Sequence, residues 1–418
     1  MNSPARILTG LVLGVLFGLA VRLWAPAHIA QIMAVTDVIG GLWLNALRMT
    51  VMPLIFALLV NGVLRSAAHA SGGKLSRRTI SVFGSLYAAS VIGGTLIALA
   101  LLAMFPIPEG ARIAFSRGVI AAPPVGATTT EMLLAVIPTN VFAAAASGAL
   151  LPIVTFAIFL GAALSRLKEP ERAPLVAVTQ SLSAALFVII HWVLIVAPIG
   201  VFGLIASSTL ATGAGAIQGL LHYIVIIAAA YAIATLFAYP VARFGGGIGI
   251  GRFAKAVFPA QAVAASTRSS LATLPAMLTA SDRLAISKEA STVALPIAVS
   301  VFRFGGPVST MAVALYGAAI YGVHPPMWLL FPAGMVAVLS EFGSVGLPNQ
   351  ANFMTTYSPT LAVLGVPIEF LAILIAVDTI PDIVLTMCNV TMDVAATAVI
   401  DNSPAIGEVG AASVAEAA

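Results

Sequence analysis

Apolar stretches long enough to cross a bilayer recur along the chain, at about 7–27, 35–64, 79–106, 173–205 and 215–242, with a longer composite region at 119–166. About 20 apolar residues in helical form cover the roughly 30 Å of a hydrocarbon core. Lipid offers no partner to a bare N–H or C=O, so a chain that repeats such runs folds as helices whose backbone bonds close within each segment. Of 418 residues, 60% are hydrophobic and 8% charged, which excludes a soluble globular class. The expected fold class is an all-α polytopic membrane protein, with the lipid bilayer as its surroundings. The first run, Ile7 to Leu23, follows Arg6 and ends in no convincing small-residue cleavage site, so it is read as a retained helix.

The net charge of +4 does not point to nucleic acid, because the basic residues stand singly or in small groups beside apolar runs. Arg6, then Arg65, Lys74, Arg77 and Arg78, then Arg166, Lys168 and Arg172, then Arg243, Arg252 and Lys255 alternate with charge-poor loops near 28–34 and 206–214. Counted this way, the N-terminus and residue 243 face the cytoplasm, with Arg112 and Arg117 as the exceptions. A single cysteine, Cys388, allows no intrachain disulfide and is read as a packing residue.

After residue 250 the pattern changes. Two apolar stretches are interrupted by small polar residues and close on Leu-Pro: Ser266 to Pro275, and Ser340 to Pro348. Their half-segments are too short to span alone, so each is read as a hairpin that enters and leaves on one side, followed by a long helix at about 287–320 or 367–402. Interrupted segments at matching places in two halves point to a carrier's midplane site, where half-helix termini and unwound backbone meet a ligand. The competing explanation is that Ser, Thr and Gly only let helices pack closely.

The last of those helices carries the strongest signal. At about 100° per residue, Asp378, Asp382, Thr386, Asn389 and Asp393 fall on one stripe, opposite Ile, Val, Leu and Met. Each ionised Asp at mid-membrane depth costs about 2.5–3.5 kcal/mol, so the stripe faces protein, water, ions or a ligand. No Lys or Arg follows Arg303, so the cationic partners of these acids come from earlier in the chain or from solution; Arg268 and Arg303 are the intramembrane candidates. A structural ion-pair network is the alternative to a binding site. An intramembrane aspartyl protease is disfavoured, since its two carboxylates commonly come from separate helices and no Gly-x-Gly-Asp occurs. His191, on an apolar helix, is read as a satisfied core histidine. Asn389-Val390-Thr391 spells a glycosylation sequon but lies inside a membrane helix, out of reach of a glycosyl donor.

The hairpin tip 267–275 and the last helix resemble those of the dicarboxylate/amino acid:cation symporters, the glutamate transporter family. Trp43 to Leu54, Ile137-Pro138-Thr139-Asn140 and Ala197 to Phe202 are also similar, so the likeness runs along almost the whole chain. The resemblance implies eight membrane helices, two re-entrant hairpins and an elevator-type fold, usually a homotrimer; the short loops without large insertions suit a bacterial inner membrane. It implies a scaffold of residues 1–78 and 107–205 and a transport domain of 79–106 and 206–402; the small, acidic tail at 403–418 is read from its composition as disordered. The function it implies is symport of a small amino acid or dicarboxylate with protons or sodium, without enzyme activity or cofactor. A sensor or channel of the same fold is the alternative.

By the same resemblance, Ser269 and Ser270, beside Arg268, meet a substrate carboxylate. Asp382 receives its amino group, Thr386 and Asn389 line the site, and Gly346 and Pro348 form the gate. Asp393, with Asn389, is the candidate sodium ligand, and Asp378, Asp382, Asp393 and Arg303 are the candidate proton- or ion-coupling groups. Three departures stand out. Phe302-Arg303-Phe304-Gly305 replaces the family's Asn-Met-Asp-Gly, Leu385 stands where acidic-substrate members carry arginine, and Asn349-Gln350 follows the second tip where small residues are usual.

Overall fold

The computed structural model describes residues 3–69, 74–116, 134, 136–147, 149–343 and 349–402. The regular structure among these residues is helical. In chain order the helices are α1 Ser3–Trp24, α2 Ile29–His69, α3 Lys74–Met104, α4 Glu109–Ser116, α5 Val141–Ala146, α6 Leu150–Leu164, α7 Glu169–Ile195, α8 Ala197–Thr212 and α9 Gly215–Leu236. There follow α10 Ile250–Thr267, α11 Ser270–Leu284, α12 Lys288–Val301, α13 Gly305–Tyr321, α14 Met327–Gly343, α15 Asn349–Val363, α16 Glu369–Leu374 and α17 Thr379–Asp401. Among the described residues, seven helical stretches are long and apolar enough to cross a membrane, with α6, α8 and α14 shorter. The protein is a multi-pass membrane protein.

Three of the expected long helices are broken, each for a visible reason. The run 173–205 divides into α7 and α8 at Val196: Pro198 has no N–H, and Val196 O instead takes the N–H groups of Ile199 and Gly200 at 3.1 and 3.3 Å. The run 367–402 divides at a turn over 375–378. Pro381 cannot donate to Val377 O, which accepts Ile380 N–H at 3.1 Å, and Pro381 then sits in the first turn of α17, where a missing donor costs little. Asp378 therefore lies in the turn before α17 and not within the helix. The run 287–320 is interrupted at residues 302–304, where Phe302 is extended at φ −111° and ψ 106°.

His191 is a further correction. The buried stripe of α7 runs through Thr179, Ser183, Leu186, Ile190, Val193 and Leu194, and His191, about 100° round the helix from Ile190, is exposed. An apolar neighbourhood in sequence does not distinguish a core-facing position from a lipid-facing one.

By contact, the chain divides into two compact units, Met1–Ala67 with Thr95–Ile227 and Thr310–Ile380, and Ala68–Gly94 with Ala228–Ser309 and Pro381–Ala418. In the first unit α1 packs along α8 through Gly10, Gly14 and Gly18, four residues apart and so on one helix face. A Cβ on Gly10 would stand 2.2 Å from Pro198 O, and one on Gly14 would stand 2.9 Å from Phe202 O. Asn140, in the Pro-Thr-Asn motif, caps α5 by accepting from Phe142 and Ala143 N–H. Also in this unit, α14 packs against α15, their lengths of 17 and 15 residues giving about 25 and 22 Å. The tip joining them, with Gly346 and Pro348, lies outside the described residues, as does the tail 403–418.

In the second unit α10 packs against α11, and the two are joined only by Arg268 and Ser269. Arg268 closes α10 in the left-handed region, φ 51° and ψ 38°, and Ser269 opens α11 by accepting Ala272 N–H on its hydroxyl. A non-glycine residue in that conformation costs on the order of 1–3 kcal/mol, so the surroundings hold Arg268 there. Gly10→Ala is expected to destabilise the protein by about 1–3 kcal/mol through the overpacked α1–α8 contact, read as a lower unfolding midpoint in detergent.

Candidate functional site

The polar stripe of α17 is buried: Asp382 and Thr386 are 6% exposed, Asn389 2% and Asp393 0%. The residues that meet it lie in the same unit. Arg268, held at the α10–α11 turn, places Nη1 4.0 Å from Asp382 Oδ2. Ser269 and Ser270, both half-buried, stand beside it at the start of α11, where the helix presents unpaired N–H groups and the positive end of its dipole. Thr386 donates its hydroxyl to Asp382 O at 2.9 Å, so its side chain is turned back along the helix.

One turn further, Asn389 Oδ1 accepts the N–H of Gly305 at 2.7 Å and so ties α17 to the first residue of α13. Gly305 keeps this approach close: a Cβ there would stand 2.6 Å from Leu385 Cδ1 and 3.0 Å from Asn389 Oδ1, so those side-chain ends would have to shift. Leu385 and Cys388 both pack here, which agrees with the packing role read for the cysteine. Thr391 accepts from Gln261 Nε2 at 2.9 Å, so both polar members of the formal sequon are engaged inside the protein.

Asp393 differs from the other acids. Both carboxylate oxygens are buried, and neither has a hydrogen-bond partner among the described residues. Arg303, in the break between α12 and α13, attracts this carboxylate electrostatically. Two buried oxygens without donors have the chemistry to take a small cation or a proton, and the guanidinium is a positive charge already built into the chain. Among the described residues no three His, Cys, Asp or Glu side chains gather as a metal cluster, so any metal ion held by Asp393 would be of the weakly bound, oxygen-ligated kind.

A model of the sodium:dicarboxylate symporter family matches residues 4–403. The chain belongs to this family. Similar relatives include the proton/glutamate-aspartate symporter of Escherichia coli (strain K12), 25% identical, covering 94% of this chain and 91% of the relative. The proton/sodium-glutamate symport protein of Bacillus subtilis (strain 168) is 28% identical, with 92% and 89% covered. The C4-dicarboxylate transport protein of Rhodopseudomonas palustris (strain BisB5) is 26% identical, with 92% and 85% covered. This symporter-family chain is a transporter and not an enzyme.

Three further acids find partners from earlier in the chain. Asp378, 8% exposed, accepts the hydroxyl of Tyr223 at 3.1 Å in the first unit. Glu369 pairs with Arg48 at 2.5 Å, a third basic partner that the sequence pattern did not single out. Asp401 accepts from Ser287 N–H at 3.1 Å and from its hydroxyl at 2.5 Å, and so holds the residue that caps α12. A cavity of about 440 Å³ in the first unit includes Asp37 and Glu369 in its lining, but both acids are already engaged, by Ser207 and Arg48.

Sequence reasoning also missed Tyr87 and Ser90 of α3, which hold the 302–304 break; their signal was a polar pair three residues apart on an apolar helix. Asn389→Ala leaves the buried Gly305 N–H unpaired and is expected to cost about 1–3 kcal/mol, seen as a lowered midpoint in thermal unfolding of the ligand-free protein.

Proposed function

We propose that this chain is a secondary active symporter for a small amino acid or dicarboxylate, coupled to protons or working with altered cation sites, in which Arg303 partly replaces a coupling ion beside Asp393. The observation that carries this reading is the Asp393 carboxylate, fully buried, without a hydrogen-bond donor among the described residues, and under the field of Arg303. An arginine is always charged and cannot leave, so it offsets a buried carboxylate without a metal ion having to be recruited.

In this reading Asp382 receives the substrate amino group, displacing Arg268 from its loose contact, and Arg268 with Ser269, Ser270 and the N-terminus of α11 takes a carboxylate. Thr386 and the Asn389 amide nitrogen complete the pocket, and Gly346 and Pro348 form the gate. Asp378 and Asp393 are the coupling acids. The relatives named for glutamate, aspartate and C4-dicarboxylates support a small carboxylate as cargo.

The eight-helix, two-hairpin elevator architecture belongs to the same proposal. Residues 79–106 and 206–402 move, 1–78 and 107–205 stay as scaffold in a homotrimer, and the setting is a bacterial inner membrane. The two contact units describe packing at rest, whereas this division describes relative motion.

Leu385 favours a second reading of Arg303: with no arginine at that point of α17, Arg303 takes the second carboxylate of a dicarboxylate in a bidentate pair. Arg303→Ala then loses dicarboxylates and keeps neutral amino acids.

The test is thermal unfolding of the purified protein against amino acids and dicarboxylates, in sodium and in choline, with counterflow in proteoliposomes to establish carriage. A bound ligand stabilises the folded state by mass action, so no substrate need be assumed. Equal stabilisation in both salts is expected for the wild type, and a sodium requirement is expected for Arg303→Gln. Strong, cooperative sodium dependence of the wild type would refute the built-in charge.

A further inference from the structure

An interrupted membrane helix exposes backbone carbonyls, and in carriers such carbonyls are a ready ligand set for a small cation. Between α12 and α13 three of these carbonyls, those of Val301, Arg303 and Phe304, already accept a hydrogen bond, that of Arg303 from Gly306 N–H at 2.8 Å. The Tyr87 hydroxyl donates to Val301 O at 2.7 Å and accepts Arg303 N–H at 2.9 Å, so one hydroxyl serves both sides of the break. Ser90 Oγ donates to Phe304 O at 2.5 Å. A hard cation stripped of water needs several oxygen ligands at short range. A carbonyl that already accepts a hydrogen bond is both crowded and less able to serve.

The space beside the break is filled with carbon. Phe302 and Phe304 are 0% and 2% exposed, and the ring of Phe83 stacks on Phe302 with centroids 4.1 Å apart and planes 5° apart. Tyr87 meets the same Phe302 ring edge-on at 5.1 Å and 68°. Phe83, Tyr87 and Ser90 are spaced i, i+4 and i+7, which puts them on one face of α3. Further along that helix, Gly94 lets the backbone of Val308 approach, since a Cβ there would lie 2.6 Å from its Cα.

We infer that this face of α3 is a cation-excluding clamp. Tyr87 and Ser90 are positioning residues that hold the broken helix in the form that presents Arg303, and they deny the carbonyls of Val301 and Phe304 to a metal ion. The residues present at the break do not fit a sodium site, so ion choice in this chain is decided there as well as at Asp393. The inference rests on the reading of Arg303 as a built-in charge.

The experiment uses the full chain without substrate, comparing unfolding midpoints in sodium chloride and choline chloride. Wild type is expected to show the same midpoint in both. Tyr87→Phe/Ser90→Ala, which removes two hydroxyls and keeps the ring stack, is expected to gain a sodium-specific rise of about 3 °C or more. If the double variant does not fold, Ser90→Ala alone carries the test, with a smaller rise expected. A merely structural role would lower both midpoints together and leave no difference between the salts, and that result overturns the clamp. A sodium-stabilised wild type would instead overturn the reading of Arg303 beneath it, while leaving the effect of the hydroxyls to be read from the size of the variants' shift.

Discussion

Asp393 places a carboxylate where no described group donates a hydrogen bond to it and no solvent reaches it. An ionised acid at membrane depth costs about 2.5–3.5 kcal/mol even on the lenient insertion scales, so it calls for a positive charge nearby or a proton of its own. Arg303 acts on this carboxylate electrostatically from the break that follows the end of α12 at Val301. A continuous helix through 302–304 would carry each side chain to a position dictated by its register. The break frees Arg303 from that register, and the cost of the break is a set of unpaired backbone groups that must be satisfied elsewhere.

Those groups are satisfied by side chains of two other helices. Tyr87 and Ser90 of α3 take Val301 O, Arg303 N–H and Phe304 O, while Asn389 of α17 takes Gly305 N–H. The residue that fixes the break on one side is therefore a member of the polar stripe itself. Asn389 serves structure with its oxygen, and its amide nitrogen is not used by that bond. The other acids follow a milder version of the same rule: Asp382 faces Arg268, Asp378 takes the Tyr223 hydroxyl, and Glu369 pairs with Arg48. An ion pair formed away from water is strong evidence of constraint and weak evidence of net stability, because desolvation opposes the attraction.

Much of this was legible in the residues. Long apolar runs require helices in a membrane, and three aspartates on one stripe require company, whatever their tertiary setting. The interruption at 266–275 was visible because small polar residues break an apolar run too short to span, and the structure turns the chain at Arg268 and Ser269. No Lys or Arg follows Arg303, so pairing of Glu369 and Asp382 with either could only run backwards along the chain. Other features were hidden. Pro198, Pro381 and Phe302 each sit at a break, yet Pro53 and Pro296 lie inside helices that continue, so the residue type alone does not mark the interruption.

The sequence by itself determined the membrane class, the helical content, the polar stripe and the family, because hydropathy, periodicity and local motifs act over a few turns of one helix. Tertiary structure decided which acid lacks a donor, which arginine faces which carboxylate, and that His191 turns outward beside a buried Ile190. Those outcomes depend on which faces of distant segments meet. A hydroxyl on Tyr87 and a carbonyl on Val301, 214 residues apart, become partners only when two helices pack face to face.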